Sequence, residues 1–316
     1  MQRILVIRGG AIGDFVLTLP AIKLLRDAYP DSHIEILGYK HIIALAEHRF
    51  YADAIRSIEY AAFASFFARG AELPSELAHY FASFDLIVSY LFDPDRIFEA
   101  NLRRCGVETF LACSPKVTGS EHASRQLAAL MVELGLTLAS SAAQLYPSCN
   151  DHIAASALVA APPARLIALH PGSGSAKKNW SIVNWRALGE KLLSRGPDVA
   201  LIVVGGEAET SLKVLCDAWS GARVTFVIGQ PLTTLAAVIA RCTVFLGHDS
   251  GISHIAGAVG TRSLVLFGPT DPSVWAPAND NVHVLRAPAR DLAQLGVDEV
   301  YHRISALLSD ARPASP

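Results

Sequence analysis

Short runs of branched and aliphatic residues, each closed by a glycine-rich or polar turn and followed by a longer helical pattern, recur along this whole chain. Few folds accommodate that rhythm. Parallel strands need crossover connections, so strands spaced by helices predict parallel sheets wrapped on both faces. In the first half the runs predict strands at Arg3–Arg8, His33–Leu37, Ala54–Ile58, Leu86–Ser89 and Thr109–Ala112. Helical patterns lie between them at Leu17–Ala28, Arg96–Arg104 and His122–Leu134. In the second half strands are expected at Leu166–Leu169, Ala200–Val204, Val224–Val227, Val244–Leu246, Ser263–Phe267 and Val282–Leu285, and helices at Asn184–Arg195, Ala208–Trp219 and Thr233–Ala240.

A chain of 316 residues is long for one core and natural for two domains. The Ala-rich segment Asn150–Arg165 holds Pro162 and Pro163, which resist helix continuation, and reads as the linker. The expected domains are residues 1–155 and 163–316, both Rossmann-like, with a last helical stretch at 291–308 that is free to pack back on the first. Two such sheets facing each other leave a cleft at the carboxyl ends of their strands, where ligands of open α/β sheets bind.

Composition narrows the function classes. No apolar run reaches the roughly 18–20 residues of a membrane span, and the opening strand pattern does not read as a signal peptide. Cys105, Cys113, Cys149, Cys216 and Cys242 are odd in number and lack CxxC spacing. That argues against a disulfide framework or cysteine zinc site and for a reducing, cytoplasmic setting. A formal charge of −2 without a basic run leaves no nucleic-acid footprint.

The chemistry concentrates in turns that follow strands. Gly247-His248-Asp249-Ser250-Gly251-Ile252-Ser253-His254-Ile255-Ala256-Gly257-Ala258 reads as strand, turn and helix start, a backbone that receives phosphate on free amides. It reads equally as an ordinary helix cap with a buried histidine. His170-Pro171-Gly172-Ser173-Gly174-Ser175-Ala176-Lys177-Lys178-Asn179-Trp180-Ser181 combines small residues with two lysines suited to phosphate, or is a solvated loop anchored by Trp180. Arg8-Gly9-Gly10-Ala11-Ile12-Gly13-Asp14 is neither a dinucleotide fingerprint nor a P-loop. It leaves Asp14 as a helix-capping carboxylate or as a general base for an attacking hydroxyl. Glu207 and Glu209, after Gly205-Gly206, can accept from a ribose or simply favour a helix start. No nucleophile elbow is present, and His248, Asp249 and His254 lack metal-ligand spacing, so no metal is expected.

Taken together, Ile4-Leu5-Val6-Ile7-Arg8 with Gly13-Asp14 and Leu19-Pro20-Ala21-Ile22, His170-Pro171-Gly172-Ser173 with Lys178 and Trp180, Asp249-Ser250-Gly251 with His254 and Ala256, and Gly268-Pro269-Thr270-Asp271-Pro272 resemble glycosyltransferase family 9, the bacterial ADP-heptose:lipopolysaccharide heptosyltransferases. The resemblance implies a GT-B fold, with the acceptor on the first domain and the nucleotide sugar on the second. It implies an inverting, metal-independent heptosyl transfer from a nucleotide diphosphate donor, ADP-heptose, to a lipopolysaccharide-type or other surface glycan, with no cofactor. By position, Asp14 would be the base and Lys178 would neutralise the departing diphosphate. Asp249 would meet sugar hydroxyls. Ser250, Gly251 and His254 would hold phosphate, Ser173 and Gly174 would line the phosphate pocket, and Glu209, or alternatively Glu207, would bind the ribose.

The alternatives left open are a nucleotide-sugar epimerase or hydrolase of the same fold, or a non-catalytic binder. Few strong bases follow the second helix, which suits an acceptor less anionic than the phosphorylated inner core. The Ala61-Ala62-Phe63-Ala64-Ser65-Phe66-Phe67 stretch either fills a core or touches a membrane surface. A cytoplasmic location is expected, with peripheral contact at the inner membrane left open.

Overall fold

In the computed structural model, residues 2–159, 165–206, 212–219, 221 and 223–309 are described. They divide into two compact units, Met1–Ser141 and Ala142–Pro316. Among the described residues of the first, β1 (Arg3–Arg8), β2 (His33–Gly38), β3 (Ala54–Ser57), β4 (Leu86–Ser89) and β5 (Phe110–Ala112) form one parallel sheet in the order β3-β2-β1-β4-β5. The central β1 pairs Ile4 with both Ile34 and Leu86, and its apolar run is fully buried. A strand covered by helices on both faces needs that continuous hydrophobicity.

The second unit repeats the plan. β6 (Arg165–His170), β7 (Val199–Gly205), β8 (Val224–Ile228), β9 (Val244–His248), β10 (Ser263–Phe267) and β11 (Val282–Arg286) form a parallel sheet in the order β11-β10-β9-β6-β7-β8. Strand order reverses between β1 and β4 in the first sheet and between β6 and β9 in the second. Those switch points are where open α/β sheets leave a crevice for ligands. The two parallel α/β sheets are those of the GT-B class expected from the sequence.

Three local differences from the sequence reading have physical causes. The first helix spans Ile12–Ala28 and begins five residues before the expected Leu17, because Asp14 at its third position accepts the Ala11 amide and draws the glycine turn into the helix. The expected linker contains a helix, Cys149–Leu158. Ser148 and Asp151 start it with reciprocal side-chain-to-amide bonds of 3.3 and 2.7 Å, and it packs on the helix Leu232–Ala240. The first domain of 1–155 therefore ends too late: the division falls after Ser141, and Pro162 and Pro163 lie outside the described residues. The last helix, Val297–Ser309, buries Val300, Ile304, Leu307 and Leu308 in the core of its own unit, against Leu188 and Leu192.

The Ala61–Phe67 stretch is a 3-10 helix whose Phe63 and Phe66 enter the core of the first unit beside Phe81 and Phe98. Phe67, stacked on Phe98 at 5.0 Å, remains partly exposed. Among the described residues no helix is long and apolar enough to cross a membrane.

Candidate active site

In the first unit, the end of β1 delivers a buried arginine into the turn that starts the helix Ile12–Ala28. The Arg8 Nε donates to Thr18 Oγ1 at 2.9 Å and its Nη2 donates to the Asp14 carbonyl at 3.1 Å, while Thr18 Oγ1 also donates to that carbonyl at 2.7 Å. The Arg8 Nη2 stands 3.9 Å from Asp14 Oδ1. Burial lowers the pKa of Arg8, an effect opposed by the Asp14 carboxylate. The other carboxylate oxygen, Oδ2, accepts the Ala11 N–H at 2.9 Å. Asp14 thus caps its helix and at the same time keeps a side chain 39% exposed. The cap engages one carboxylate oxygen, and the other faces the Arg8 guanidinium.

Gly10 makes that arrangement possible. Its φ of +98° is unfavourable for L side chains, and a Cβ there would lie 2.8 Å from Asp14 Oδ2.

In the second unit, three loops leave the carboxyl ends of β6, β9 and β10. The Lys178 Nζ donates to Asp249 Oδ2 at 2.7 Å, and Thr270 Oγ1 donates to the same oxygen at 2.7 Å. The lysine side chain is 31% exposed and the aspartate 9%. Ser250 is the N-cap of the helix Gly251–Ala258, in an extended conformation, and provides no side-chain cap. Its hydroxyl lies 3.3 Å from His170 Nδ1 and 3.4 Å from Ser253 Oγ. The amides that open this helix keep their outward polarity, which favours an anion. A Cβ on Gly247 would meet the Phe245 ring at 2.8 Å and Ser253 Oγ at 3.0 Å, so the glycine lets strand and helix close on each other.

His248 ties two of these loops together. Its Nε2 accepts the Trp180 N–H at 2.8 Å and its Nδ1 faces the Gly172 carbonyl at 3.4 Å. The ring sits edge-on to Trp185 at 5.3 Å, and Trp185 is edge-on to Trp180 at 5.6 Å. Burial, reinforced by the neighbouring His170, holds the His248 pKa down to about 3, so the ring is neutral at pH 7. The Trp180 indole N–H donates to the Leu295 carbonyl at 2.9 Å. The expected anchoring role of Trp180 therefore has two named partners.

The structure brings Lys178, Asp249, Ser250 and Gly251 to one end of the second sheet. Ser173 stands in the same loop as Lys178, but its hydroxyl lies 2.6 Å from Asn179 Oδ1 and accepts the Ser175 N–H at 3.3 Å, closing the loop on itself. Gly174 has open space where a Cβ would stand. His254 is buried on the first turn of its helix. Glu207 and Glu209 lie outside the described residues. Among the described residues no cluster of three or more His, Cys, Asp or Glu side chains is arranged to hold a metal ion.

The family model of glycosyltransferase family 9 (heptosyltransferase) matches residues 103–302, more than half of the chain. The chain belongs to glycosyltransferase family 9. It is 25% identical over 306 residues to the lipopolysaccharide heptosyltransferase 3 of Escherichia coli, covering 85% of this chain and 84% of that one. The structure of E. coli ADP-heptose lps heptosyltransferase II superposes with a TM-score of 0.80 at 17% identity, over 98% of this chain and 99% of that one. The structure of E. coli heptosyltransferase WaaC with ADP-2-deoxy-2-fluoro heptose gives a TM-score of 0.71 at 19% identity, over 96% and 99%. This member of the family is a glycosyltransferase.

Sequence reasoning assigned no role to Arg8, His248 or Thr270. Arg8 carried a signal: a cation at the end of an otherwise apolar strand requires an internal partner. Thr270 stood in the quoted Gly268–Pro272 motif without a role. The pairing of Lys178 with Asp249 depends on how two loops 71 residues apart meet, and no local pattern encodes that.

Proposed function

We propose that the chain transfers a heptose from ADP-heptose to a hydroxyl of a lipopolysaccharide-type or other surface glycan, inverting the anomeric carbon and using no metal ion. The observation that carries this reading is the Lys178–Asp249–Thr270 cluster beside an uncapped helix N-terminus at the switch point of the second sheet. A cation and outward amides at such a place suit a diphosphate whose negative charge grows as it departs. The donor assignment draws on the family and on the fold shared with a heptosyltransferase solved with an ADP-heptose analogue.

In this mechanism the acceptor oxygen attacks the anomeric carbon, the bond from that carbon to the diphosphate oxygen breaks, and ADP leaves with the electron pair. Asp14 takes the acceptor proton through Oδ1, the oxygen not engaged by the Ala11 amide. Lys178 and the Ser250 and Gly251 amides stabilise the leaving diphosphate, with His254, Ser173 and Gly174 around it. The carboxylate of Asp249 orients Lys178 and accepts from sugar hydroxyls. Glu209, or Glu207, is assigned to the ribose on its motif alone. We place the reaction in the cytoplasm, with the acceptor presented at the inner membrane surface, a setting that suits free cysteines.

The test is ADP release from ADP-heptose with a glycan acceptor, with product analysis by NMR. The expected result is acceptor-dependent release, a product of opposite anomeric configuration, and unchanged rate in EDTA. Release at full rate without acceptor would make the protein a hydrolase. Abolition by EDTA, reversed by a divalent cation, would overturn the metal-free mechanism.

A further inference from the structure

The serine hydroxyl at the start of the helix Gly251–Ala258 is turned away from the work its position normally gives it. A serine at an N-cap usually accepts one of the first free amides with its side chain. Ser250 stands there with an extended backbone and makes no such bond. Its Oγ lies instead 3.3 Å from His170 Nδ1 and 3.4 Å from Ser253 Oγ. The sheet sets up the first of these contacts. His170 is the last residue of β6 and pairs in register with Gly247 of β9, which brings the buried imidazole to the turn that follows β9.

The far end of this row of contacts fixes its direction. A hydroxyl has a single proton to give but can accept as well. Ser253 Oγ donates its proton to the backbone carbonyl of His248, which can only accept. Toward Ser250, the Ser253 oxygen is therefore left as an acceptor. Ser250 gives its proton that way, and its own oxygen takes a proton from His170 Nδ1. Every contact is then satisfied: His170 Nδ1–H to Ser250, Ser250 to Ser253, and Ser253 to the carbonyl. The reverse assignment, with Ser250 donating to a bare Nδ1, sets two oxygens lone pair against lone pair at 3.4 Å. Such a mismatch is expensive away from water, whereas hydrogen bonds running one way reinforce each other.

We infer that His170 is a positioning residue, whose Nδ1–H holds the Ser250 oxygen and leaves the serine proton to be given to the diphosphate of the donor. On binding, that proton turns from Ser253 to a phosphate oxygen while the bond from His170 stays. No proton is transferred and no covalent bond changes. The opposite tautomer would draw the serine proton onto the ring and present an oxygen lone pair to the phosphate. The inference rests on the donor reading of the second unit, and adds to it the group that decides which way Ser250 hydrogen-bonds.

Two measurements on the full chain test it. In the unliganded protein with isotope-labelled histidine, proton–nitrogen correlation NMR reads the tautomer directly, and the His170 ring is identified by its disappearance in His170→Asn. Its Nδ1 is expected to be protonated. Calorimetric titration with ADP supplies the second arm. Ser250→Ala and His170→Leu should each weaken ADP binding roughly tenfold, and the double variant should lose no more than about twofold beyond Ser250→Ala, since the imidazole acts through the hydroxyl. His170→Asn, whose amide nitrogen stands in the place of Nδ1, should bind ADP within about threefold of the wild type. A bare Nδ1 overturns the inference, as do additive losses in the double variant or wild-type affinity in His170→Leu. If His170→Leu fails to fold, the tautomer in the wild type and the Asn rescue decide. A wild type that shows the protonated Nδ1 and binds no ADP would count against the donor reading and leave the order of hydrogen bonds standing.

Discussion

Lowering the pH should loosen the second unit through His248, and the size of the effect follows from its surroundings. The ring is fully buried, accepts the Trp180 N–H through Nε2 and must remain neutral to do so. Its pKa is about 3 in the folded chain against 6.5 for the free side chain. Below pH 6.5 the unfolded state therefore binds a proton that the folded state refuses. This contribution is fully present above pH 6.5, is lost as the pH falls, and reaches its limit below pH 3, where the difference totals about 5 kcal/mol. Between pH 7 and pH 5 the loss from this one residue works out to about 2 kcal/mol.

Other groups titrate in the same window, so the informative quantity is a difference between proteins. In His248→Gln the amide oxygen can still accept the Trp180 N–H but cannot be protonated. The variant should be less stable at pH 7 by about 1–2 kcal/mol, having lost the edge-on contact with Trp185. Its further loss on going to pH 5 should be smaller than that of the wild type by about 2 kcal/mol, or roughly 4–8 °C in Tm. Tryptophan fluorescence is the assay of choice, because the four tryptophans all fall in the second unit and report on it alone. Identical losses in the two proteins, to within about 0.5 kcal/mol, would refute the claim that burial keeps this histidine neutral.

Three further outcomes are expected. Asp14→Asn keeps an acceptor for the Ala11 amide and should fold normally, with donor affinity unchanged and kcat reduced by ~100-fold or more; wild-type turnover would remove Asp14 as the base. Lys178→Gln should lower kcat by roughly 10²–10³ and weaken ADP inhibition, read in steady-state kinetics, with a change in acceptor KM alone counting against its leaving-group role. Gly10→Ala should cost about 1–3 kcal/mol in denaturant titration and reduce turnover as well, since the new methyl group displaces the Asp14 carboxylate from a 2.8 Å approach; a stable, fully active variant would show that the turn relaxes freely.

How much of this was legible in the sequence depends on whether the signal was local. The strands were, because parallel strands buried on both faces appear as continuous apolar runs, and β1 and β4 begin and end at their expected residues. Lys178 and Asp249 were legible as polar side chains following strands, and the structure brings the two into contact. Helix starts were less so: Gly10 and Gly13 resemble a loop until the side chain of Asp14 is seen to hold the Ala11 amide. The segment Asn150–Arg165 misled for a related reason. Its prolines and alanines resemble a linker, whereas Ser148 and Asp151 set a capping box and Ala155 is buried. The sequence left the last helix free to pack back on the first domain, because an apolar stripe carries no information about which core it will join.

The pairing within the second unit shows why motif and geometry are different kinds of information. Lys178 and Trp180 are two residues apart, and His248 and Asp249 are neighbours, so two contacts between the loops suffice to fix their register. Trp180 supplies one by giving its backbone N–H to His248 and its indole N–H to Leu295. Lys178 then has little choice but to meet Asp249, where Thr270 holds the same carboxylate oxygen from a third loop. The part-buried ion pair between Lys178 and Asp249 is thus positioned by a buried, neutral one-proton contact beside it. A charged His248 would break that contact first. Loss of site geometry in acid should therefore precede unfolding of the sheet, because the strands carry no comparable titrating group at their centres: Ile167, Leu169, Val244 and Leu246 do not respond to pH. The Lys178–Asp249 pair and the stability of the loop that carries it depend on the same imidazole remaining uncharged.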